Sequence, residues 1–438
     1  MKVTVSAGSK SLVGMCALCI VGRIVTRLSF FLCLCLPLLS SCVAVGFQRV
    51  SPSPAPVRSA AFAAELGQVA RTPWTEGNVI RTLENGGNYF PAMLEAMRLA
   101  QRTITFESYV CVDSEPTQKF TQMFVERARA GVRVHVILDA FGCSKYGDAH
   151  LKSMRDAGVQ LHLYRPMNVW MPWRYLHRTH RRVLVADGRV GYMGGAGWAY
   201  CWDGHAENVH RWRDTQYELR GPVVAQLQDN FNDNWEELTG ERLAGPDYYP
   251  PLASPGKVKA QMALGSPEKL GDTLGSTYLL AFRAARESIV IAHAYFIPNR
   301  PLREALLDAM TRGVKVQILI PGKHIDFPAS RSVNTRYLRT LVAAGAELYE
   351  FQPTMTHGKL VIVDDHLSIA GSTNLDQRSF FINDENNLNI LDDAFSARQL
   401  VMVERDKAKS KRLERKDLNL TLGRRLQGAF CRFFEYQM

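Results

Sequence analysis

The sequence predicts an α/β fold made of two similar halves in tandem, each with a mixed, mostly parallel sheet flanked by helices. The first observation is an internal repeat, whose matched positions lie from 177 residues apart (His180 to His357) to 187 apart (Ala157 to Ala344). The second is the alternation of helical stretches with short β-branched runs, which is typical of layered α/β folds. The 438 residues, 46% hydrophobic and 22% charged, indicate an ordinary globular chain of two or three domains. Disordered chains, collagens, small disulfide scaffolds and polytopic membrane proteins are therefore excluded.

Residues 1–41 are predicted to be a signal peptide or a signal anchor. An apolar run over 28–39 follows Arg23 and Arg27, which is the order of a secretory signal. The run ends in Leu-Ser-Ser-Cys42, which resembles a bacterial lipobox and makes Cys42 the expected lipidation site. The alternative is an anchor in which roughly 20 apolar residues span the bilayer. Both interpretations predict a membrane-associated protein of the bacterial cell envelope that faces away from the cytoplasm.

Proline-rich stretches divide the rest of the chain. Residues 42–71 are predicted to form a tether, because prolines at positions 52, 54 and 56 favour an extended chain. A second proline-rich stretch marks a linker over 241–257. The first half of the repeat is therefore predicted over 72–240 and the second half over 258–438.

Each half shows the same order of helix, strand, glycine and strand. A helical stretch over 90–101 precedes a strand over 103–109, and a helical stretch over 279–286 precedes a strand over 288–295. The next strand follows a glycine in both halves, since Ala-Gly-Val-Arg-Val-His-Val-Ile-Leu138 matches Arg-Gly-Val-Lys-Val-Gln-Ile-Leu-Ile320. A glycine at this point is typical of a helix C-terminus, and the apolar runs predict buried strands.

The charge and the cysteines limit the kinds of partner. The formal net charge of +11 predicts an anionic partner, such as phospholipid headgroups, nucleic acid or a phosphorylated substrate. Five of the nine cysteines lie within residues 1–42, and the four in the body show no Cys-x-x-Cys spacing. The sequence therefore predicts no metal site and no cofactor, leaves one disulfide between body cysteines open, and does not indicate the oligomeric state.

A short motif recurs at matching positions and carries the functional signal. Its two copies are His180-Arg-Arg182-Val-Leu-Val-Ala-Asp187 and His357-Gly-Lys359-Leu-Val-Ile-Val-Asp364. On a strand, positions i and i+2 face the same side, so each histidine projects together with a basic residue. A single histidine on a strand is usually structural, but two copies in register with an independent repeat indicate a shared function.

These motifs and their surroundings resemble the phospholipase D superfamily, and within it the bacterial cardiolipin synthases. The resemblance covers residues 85–438 and rests on both motifs, on Gly371-Ser-Thr-Asn-Leu-Asp-Gln-Arg-Ser379 and on Asn383-Asp-Glu385. It implies two tandem phospholipase D-like domains, related by pseudo-twofold symmetry. Their motifs are expected to meet in one site for phosphodiester chemistry.

The residue types in the motifs suit this chemistry. A phosphodiester is anionic, and Arg182 and Lys359 supply one positive charge from each half. One imidazole attacks phosphorus to give a phosphohistidine, and the other protonates the leaving alcohol. Histidine suits both tasks because its pKa lies near neutrality. By resemblance, we assign the attack to His180 and the general acid to His357.

The resemblance also implies supporting residues. A downstream carboxylate orients each histidine, which by matching position predicts that Glu385 serves His357 and that Asp214 serves His180. Ser372 and Asn374 match positions that contact phosphate in the family. The motif carboxylates Asp187 and Asp364 lie at the far end of their strands, and we expect them to support these strands rather than to donate protons.

Two positions depart from the family pattern. Arg182 stands where the family usually has lysine, and Gly197 stands where it usually has asparagine, opposite Asn374. Arginine keeps the charge but has a different shape. The first half therefore lacks one side-chain donor, and we expect reduced activity or a shifted substrate preference.

Three segments are candidates for contact with lipid. Trp170, Trp173 and Tyr175 precede His180 and suit either a membrane interface or a packed loop over the site. Basic residues cluster over 405–416 and would form either a solvated face or a headgroup site. The amphipathic stretch over 426–434 would pack on the protein or lie on the bilayer.

The leading hypothesis is a phosphatidyltransferase of cardiolipin-synthase type, which acts on anionic phospholipids at a membrane surface and gives a phosphatidyl group to phosphatidylglycerol. A phospholipase D hydrolase would use the same residues with water as the acceptor. A phosphodiesterase acting on nucleic acid is the next alternative, but membrane targeting and the Trp-rich segment count against it, so no nucleic acid partner is expected. A non-catalytic lipid-binding lipoprotein is favoured only by Arg182 and Gly197.

Overall fold

The computed structural model describes residues 50–168, 170–266 and 271–419, without the side chains of residues 172, 173, 329 and 330. The described residues all belong to one compact unit. The predicted signal segment, the lipidation site Cys42 and the stretch over 426–434 lie outside the described residues. Within the described ranges, no helix is long and apolar enough to cross a membrane.

The first half contains seven strands and the helices that connect or follow them. Its strands are β1 (Thr75–Glu84), β2 (Thr103–Ser108), β3 (Arg133–Asp139), β4 (Gln160–Tyr164), β5 (Val183–Ala186), β6 (Val190–Gly194) and β7 (Thr215–Arg220). Its helices are α1 (Ala60–Ala70), α2 (Gly86–Leu99), α3 (Glu115–Arg129), α4 (Asp148–Asp156) and α5 (Val223–Thr239). Short 3₁₀ turns cover Pro172–Leu176 and Tyr200–Trp202.

The second half repeats these strands and adds one at its outer edge. Its strands are β8 (Val258–Gly265), β9 (Ser288–His293), β10 (Lys315–Pro321), β11 (Glu347–Phe351), β12 (Lys359–Val363), β13 (Leu367–Gly371), β14 (Glu385–Leu391) and β15 (Ser410–Leu413). Its helices are α6 (Thr273–Ala284), α7 (Arg300–Thr311), α8 (Pro328–Ala343), α9 (Gln377–Phe381) and α10 (Asp393–Lys407), and a 3₁₀ turn covers Arg415–Leu418.

All the strands join in a single sheet of 15 strands whose order repeats about its middle. The order is β15-β11-β10-β9-β12-β13-β14-β8-β1-β7-β6-β5-β2-β3-β4, so the first half, read outward from β1, matches the second half, read outward from β8. The mixed α/β sheet is confirmed, but it is not mostly parallel. Among the described strands, parallel pairs occur in β2–β3–β4 and β9–β10–β11, and the strands between these two groups pair antiparallel.

The carboxyl ends of the parallel strands meet at one edge of the sheet, as in other open α/β sheets. Strand β5 runs antiparallel to β2, and β12 runs antiparallel to β9. The residues just before β5 and β12 therefore lie at the same edge as the ends of the parallel strands. We call this edge the active edge, because both histidine motifs begin there.

A layer of two helices joins the halves behind the sheet. Side chains of α5, among them Leu227 and Phe231, share one buried cluster with Phe395 and Met402 of α10. This shared core explains why the two described halves form a single unit although the sequence is duplicated. The glycines predicted to end helices take left-handed backbone, with φ of +88° at Gly131 and +89° at Gly313.

Part of the predicted tether is instead folded. Residues 60–70 form α1, and its buried Phe62 and Leu66 pack into the core of the second half. The preceding segment has no regular structure, but Arg283 donates to the carbonyls of Val50 and Ser51. Apolar side chains on one face of α1 drive this packing, which the proline content of the segment did not reveal.

Candidate active site

Two short backbone bridges bring the motifs of the two halves together at the active edge. Thr179 pairs with Asp384, and the amide of His180 donates to the Asp384 carbonyl at 2.8 Å. In the same way Arg213 pairs with Thr356, and the amide of His357 donates to the Arg213 carbonyl at 2.7 Å. The first bridge thus places His180 beside Glu385, the residue after Asp384. The second places His357 beside Asp214, the residue after Arg213.

Because of these bridges, each histidine contacts a carboxylate that belongs to the other half. His180 Nδ1 lies 2.8 Å from Glu385 Oε1, and His357 Nδ1 lies 2.8 Å from Asp214 Oδ2. All four side chains are buried. The predicted pairing, Glu385 with His357 and Asp214 with His180, is therefore wrong. Matching positions within each half identified the correct two carboxylates. It assigned each of them to the wrong histidine, because the bridges connect one half to the other.

Each motif's basic residue contacts its own histidine. Arg182 Nη2 lies 3.0 Å from His180 Nε2 and its Nη1 donates to the His180 carbonyl, whereas Lys359 Nζ lies 3.2 Å from His357 Nε2 and donates to the His357 carbonyl at 2.7 Å. Both cations are buried: Arg182 lies just before the buried strand β5, and Lys359 is the first residue of the buried strand β12. Two histidines, two cations and two carboxylates thus form one buried cluster built equally from both halves.

The two motif aspartates lie outside this cluster. The carboxylate of Asp187 accepts from the amides of Gln101, Arg102 and Thr103, where β2 begins. The carboxylate of Asp364 accepts from the amides of three matching residues where β9 begins, namely Arg286, Glu287 and Ser288. Both carboxylates therefore anchor the strand next to their own, which is the supporting role that we expected.

Hydroxyl groups hold Glu385. Ser372 Oγ donates to Oε2 at 2.5 Å, and Ser379 Oγ donates to Oε1 at 2.7 Å. The Ser372 hydroxyl, expected to contact phosphate, is therefore engaged by Glu385, and sequence reasoning did not single out Ser379. Asn374 is buried and its Oδ1 has no partner, so its expected contact with phosphate stays a prediction.

An indole holds the other carboxylate. Trp202 Nε1 donates to Asp214 Oδ2 at 2.9 Å, and its ring meets the His357 ring edge-on at 5.3 Å. A β-carbon at Gly197 would lie 3.0 Å from the Trp202 ring and from Val110 Cβ. The glycine therefore leaves room for the indole, which supplies a donor near the place where the first half lacks one. Trp202 and Trp198 are both buried in the same core cluster, and no sequence pattern distinguishes the one that contacts Asp214.

The surroundings shift the pKa of the carboxylate in opposite directions in the two histidine–carboxylate pairs. Burial alone would raise the pKa of Asp214, but attraction to His357 and Lys359 outweighs it and brings that pKa to about 2. Burial raises the pKa of Glu385 to about 8, although Ser372 and Arg182 oppose this change. Burial, together with the cations nearby, lowers the pKa of both histidines, and attraction to Asp214 opposes this fall at His357. Burial also lowers the pKa of Lys359 to about 7.

Aromatic rings complete the surroundings of the histidines. The Tyr109 ring lies 4.9 Å from the His180 ring, and the Tyr295 ring lies 6.1 Å from the His357 ring. The two tyrosines follow β2 and β9, so they hold matching places in the repeat. Sequence reasoning included both in strands without a role. Their position at the ends of matching strands was the available signal.

The Trp-rich segment is partly exposed and partly packed. Trp170 is 84% exposed, whereas Tyr175 packs against Phe141 at 6.0 Å and lies under the guanidinium of Arg178. The side chain of Trp173 is outside the described residues. Further along the chain, five of the seven basic residues over 405–416 form ion pairs, namely Arg405, Lys407, Lys411, Arg412 and Lys416.

The cysteines and acidic groups of the described residues do not change the expectations about disulfides and metal sites. Cys111, Cys143 and Cys201 are free thiols, and Cys431 lies outside the described residues. Within the described ranges, no group of three or more His, Cys, Asp or Glu side chains is arranged to hold a metal ion.

Comparison with known proteins gives consistent matches over most of the chain. The family described as "Cardiolipin synthase, PLD-like domain" matches residues 93–235 and 278–406. Cardiolipin synthase A of Pseudomonas fluorescens is 31% identical over 359 residues, or 81% of this chain and 74% of the relative. The cardiolipin synthase of Geobacillus kaustophilus is 32% identical over 326 residues, or 73% of this chain and 64% of the relative. A solved phosphatidylserine synthase from Haemophilus influenzae shares the fold, with a TM-score of 0.64 at 16% identity over 86% of this chain and 100% of that chain.

Proposed function

The chain belongs to the cardiolipin synthase family of phospholipase D-like proteins, and we propose that its paired motifs transfer a phosphatidyl group between phospholipids through a phosphohistidine. The donor is a phospholipid and the acceptor is phosphatidylglycerol, so the product is cardiolipin. The observation that carries the proposal is the crossed cluster, in which each half lends its carboxylate to the other half's histidine. We propose that the halves, 72–240 and 258–438, are two domains that share this site.

His180 is the nucleophile in this mechanism. The guanidinium of Arg182 has donors only, so its contact with Nε2 of His180 leaves that nitrogen as the acceptor. A neutral His180 then carries its proton on Nδ1, toward Glu385. The Nε2 lone pair that accepts from Arg182 becomes free to attack phosphorus when the bound phosphate takes over the guanidinium. The lowered pKa of His180 keeps the ring neutral, as attack requires. The Nε2–P bond forms as the bond from phosphorus to the headgroup oxygen breaks.

His357 is the general acid. Asp214 stays ionised because its pKa is about 2, and its negative charge stabilises a protonated His357 ring. Glu385 offers His180 less of this support, since its pKa is about 8. Once the phosphate has drawn Lys359 Nζ away from Nε2 of His357, that nitrogen can hold a proton, and His357 gives it to the leaving headgroup alcohol in the first step. In the second step it takes a proton from the acceptor hydroxyl, which attacks phosphorus and releases His180.

Arg182 and Lys359 stabilise the charge on the phosphoryl oxygens. Each lies within hydrogen-bond distance of its histidine, so both flank the position that the phosphorus must occupy. Cations fixed in a buried site act strongly on developing charge, because no solvent has to reorganise around them. The phosphate would draw Lys359 away from the His357 ring and raise its pKa from about 7, since an anion stabilises the charged amine.

The acceptor decides between a transferase and a hydrolase. The cluster is buried, which limits access of water to the phosphohistidine, and the relatives are cardiolipin synthases by name. Both observations favour an alcohol acceptor. A phospholipase D hydrolase remains the second candidate, because water needs no additional residue to react.

The test is incubation of the purified full-length protein with vesicles of phosphatidylglycerol and phosphatidylethanolamine, followed by lipid mass spectrometry. We expect cardiolipin, with release of glycerol or ethanolamine according to the donor, and none from His180→Ala. Phosphatidic acid as the main product would instead make the protein a hydrolase. Cleavage of single-stranded DNA without any change in the lipids would favour the nucleic acid alternative and overturn the proposal.

The location in the cell follows from the same activity. The substrates are membrane lipids, so the protein works at a membrane surface, and the basic chain with a net charge of +11 suits an anionic one. We propose that Cys42 carries a lipid and that the body faces away from the cytoplasm. Metabolic labelling with a fatty acid, compared between the native chain and Cys42→Ser, tests this anchor. Labelling that persists in Cys42→Ser would contradict it.

A further inference from the structure

Exposed apolar side chains are concentrated at the active edge of the sheet. Ten large hydrophobic side chains are exposed in the described ranges, and seven of them lie in loops at this edge. The seven are Phe141, Met167, Trp170, Met171, Tyr200, Val209 and Phe327. The other three, Val79, Leu99 and Val401, lie on β1, α2 and α10. Scattered exposed apolar residues are normal, but their concentration around one opening marks an interaction surface.

The topology places these loops on both sides of the catalytic cluster. Phe141 follows β3, and Trp170 lies in the segment between β4 and His180. Tyr200 lies between β6 and β7, where Asp214 is found. Phe327 follows β10 in the second half, next to Asp326, whose carboxylate accepts from the Tyr295 hydroxyl. Both halves therefore contribute apolar side chains around the one opening.

Basic side chains lie among these apolar residues. Lys145 and Lys323 are exposed, and Arg174 is half-exposed with a long contact of 3.7 Å to Glu237. Aromatic and methionine side chains mixed with lysine and arginine suit the headgroup region of a bilayer, where apolar parts enter the acyl boundary and cations meet phosphates. Exposed acids, among them Glu207 and Asp326, lie in the same loops, so the case for a lipid surface rests on the aromatic and methionine side chains, with these cations as contacts for phosphates.

We infer that the active edge docks onto an anionic phospholipid bilayer by inserting Trp170 and Phe327, one from each half, into the interface. This inference rests on the proposed function and names the surface that delivers its substrates. Tyr175 packs on Phe141 and Arg178, which lies two residues before His180. The docked segment is thereby connected to the nucleophile, and a lipid headgroup reaches the cluster without leaving the membrane.

A matched pair of double variants tests the docking face in the full-length protein reconstituted in vesicles. Trp170→Ser with Phe327→Ser removes one exposed ring from each half. The control, Leu99→Ser with Val401→Ser, also removes one exposed apolar side chain from each half, at positions 57% and 61% exposed but away from the active edge. We expect cardiolipin formation in vesicles to fall about tenfold for the docking variant and to stay within about twofold for the control.

Dispersed substrate separates docking from chemistry. With short-chain phosphatidylglycerol below its micelle concentration, no surface is present, so the docking variant should form product within about twofold of the native rate. An equal loss on vesicles and on dispersed lipid would overturn the docking inference. If the native protein transfers phosphatidyl groups in neither form, the proposed function itself has failed, and the two failures are thus distinguished.

Fluorescence quenching locates Trp170 directly. In vesicles with brominated acyl chains, the native protein should show a quenched component that Trp170→Phe lacks, because bromine quenches indoles only at close range. Identical quenching in the two proteins would place Trp170 outside the bilayer and overturn the inference. Association of two copies that depends on Trp170 and Phe327, without any lipid quenching, would overturn it in favour of a protein interface.

Discussion

The two halves hold their histidines with matching backbone bridges but hold the partner carboxylates with different donors. Glu385, beside His180, accepts from the hydroxyls of Ser372 and Ser379. Asp214, beside His357, accepts from the Trp202 indole and from the amide of Thr215. Duplication has therefore kept the geometry of the site, whereas the side chains that tune it differ between the halves.

This difference assigns unequal tasks to two similar motifs. A carboxylate with a pKa of about 2 supports a protonated imidazole, and one with a pKa of about 8 gives its partner less negative charge. A symmetric site would offer two equivalent histidines, and either would serve as nucleophile. The asymmetry favours His180 for attack and His357 for proton transfer, and each prediction below tests one part of that comparison.

Loss of either histidine gives the largest effect and separates the two roles. We expect His180→Ala to lose all measurable transfer, and His357→Ala to lose about 10²–10⁴-fold, which is the usual contribution of general acid–base catalysis. A phosphatidyl ester of p-nitrophenol needs no acid, because its leaving group is stable as an anion. His357→Ala should release nitrophenol from this ester in a burst, whereas His180→Ala should release none. A burst from His180→Ala alone would reverse the assignment.

Neutralising the two carboxylates should show their unequal contributions. Asp214→Asn removes the charge that keeps the pKa of His357 up, so that pKa falls and the acid is lost at lower pH. We expect a loss of about 100-fold at neutral pH and an alkaline limb of kcat that moves to lower pH. Glu385→Gln should cost less, about tenfold, because the pKa of Glu385 is already about 8.

Double-mutant cycles test the crossed pairing itself. Asp214→Asn should couple with His357→Ala, and Glu385→Gln should be additive with His357→Ala, measured as transfer rates on the nitrophenyl ester. Coupling within a half, between Glu385 and His357, would mean that the crossed contacts are not the working ones.

The indole that donates to Asp214 and the hydroxyls that donate to Glu385 should differ in their effect on the transfer rate. Trp202→Phe keeps an aromatic ring beside Gly197 but removes the indole donor from Asp214, and a hydrogen bond to a charged group contributes about 1.5–3 kcal/mol. We expect kcat to fall at least about tenfold with little change in KM, because Trp202 positions Asp214 and does not touch the substrate. Ser379→Ala leaves Glu385 one hydroxyl donor and should cost about threefold. A loss in KM alone for Trp202→Phe would argue against a positioning role.

A substitution at Gly197 should affect stability more than chemistry. Gly197→Ala puts a β-carbon 3.0 Å from the Trp202 ring and from Val110, and such overpacking costs about 1–3 kcal/mol. The expected result is a lower Tm in thermal unfolding. Gly67→Ala in α1 is the control, because its β-carbon would meet Trp74 at an ordinary 3.6 Å and alanine favours the helix. Equal Tm values for the two variants would contradict the packing argument.

Removal of divalent ions should have no effect. Arg182 and Lys359 supply a cation from each half at the place where the phosphate oxygens must lie. Transfer measured with and without a strong chelator should agree within error. Loss on chelation that a divalent ion restores would mean that the two side chains do not supply enough charge.

Local patterns in the sequence determined the repeat, the buried strands, the helix ends at Gly131 and Gly313, and the histidines and cations that form the cluster. These features depend on the periodicity of side chains and on backbone preference, which act over a few residues. The supporting place of Asp187 and Asp364 was also predictable, because it follows from their distance along the strand.

Only the tertiary structure decided which carboxylate serves which histidine and how each is held. Glu385 lies 205 residues from His180, and Asp214 lies 143 residues from His357, so no local pattern relates them. Their pairing depends on two bridges between the halves, and the pKa of each acid depends on burial, which the sequence does not show residue by residue. The packing of Trp202 against Gly197 was also decided by the tertiary structure. The indole fills that space only because the fold brings the 3₁₀ turn next to the chain at Gly197.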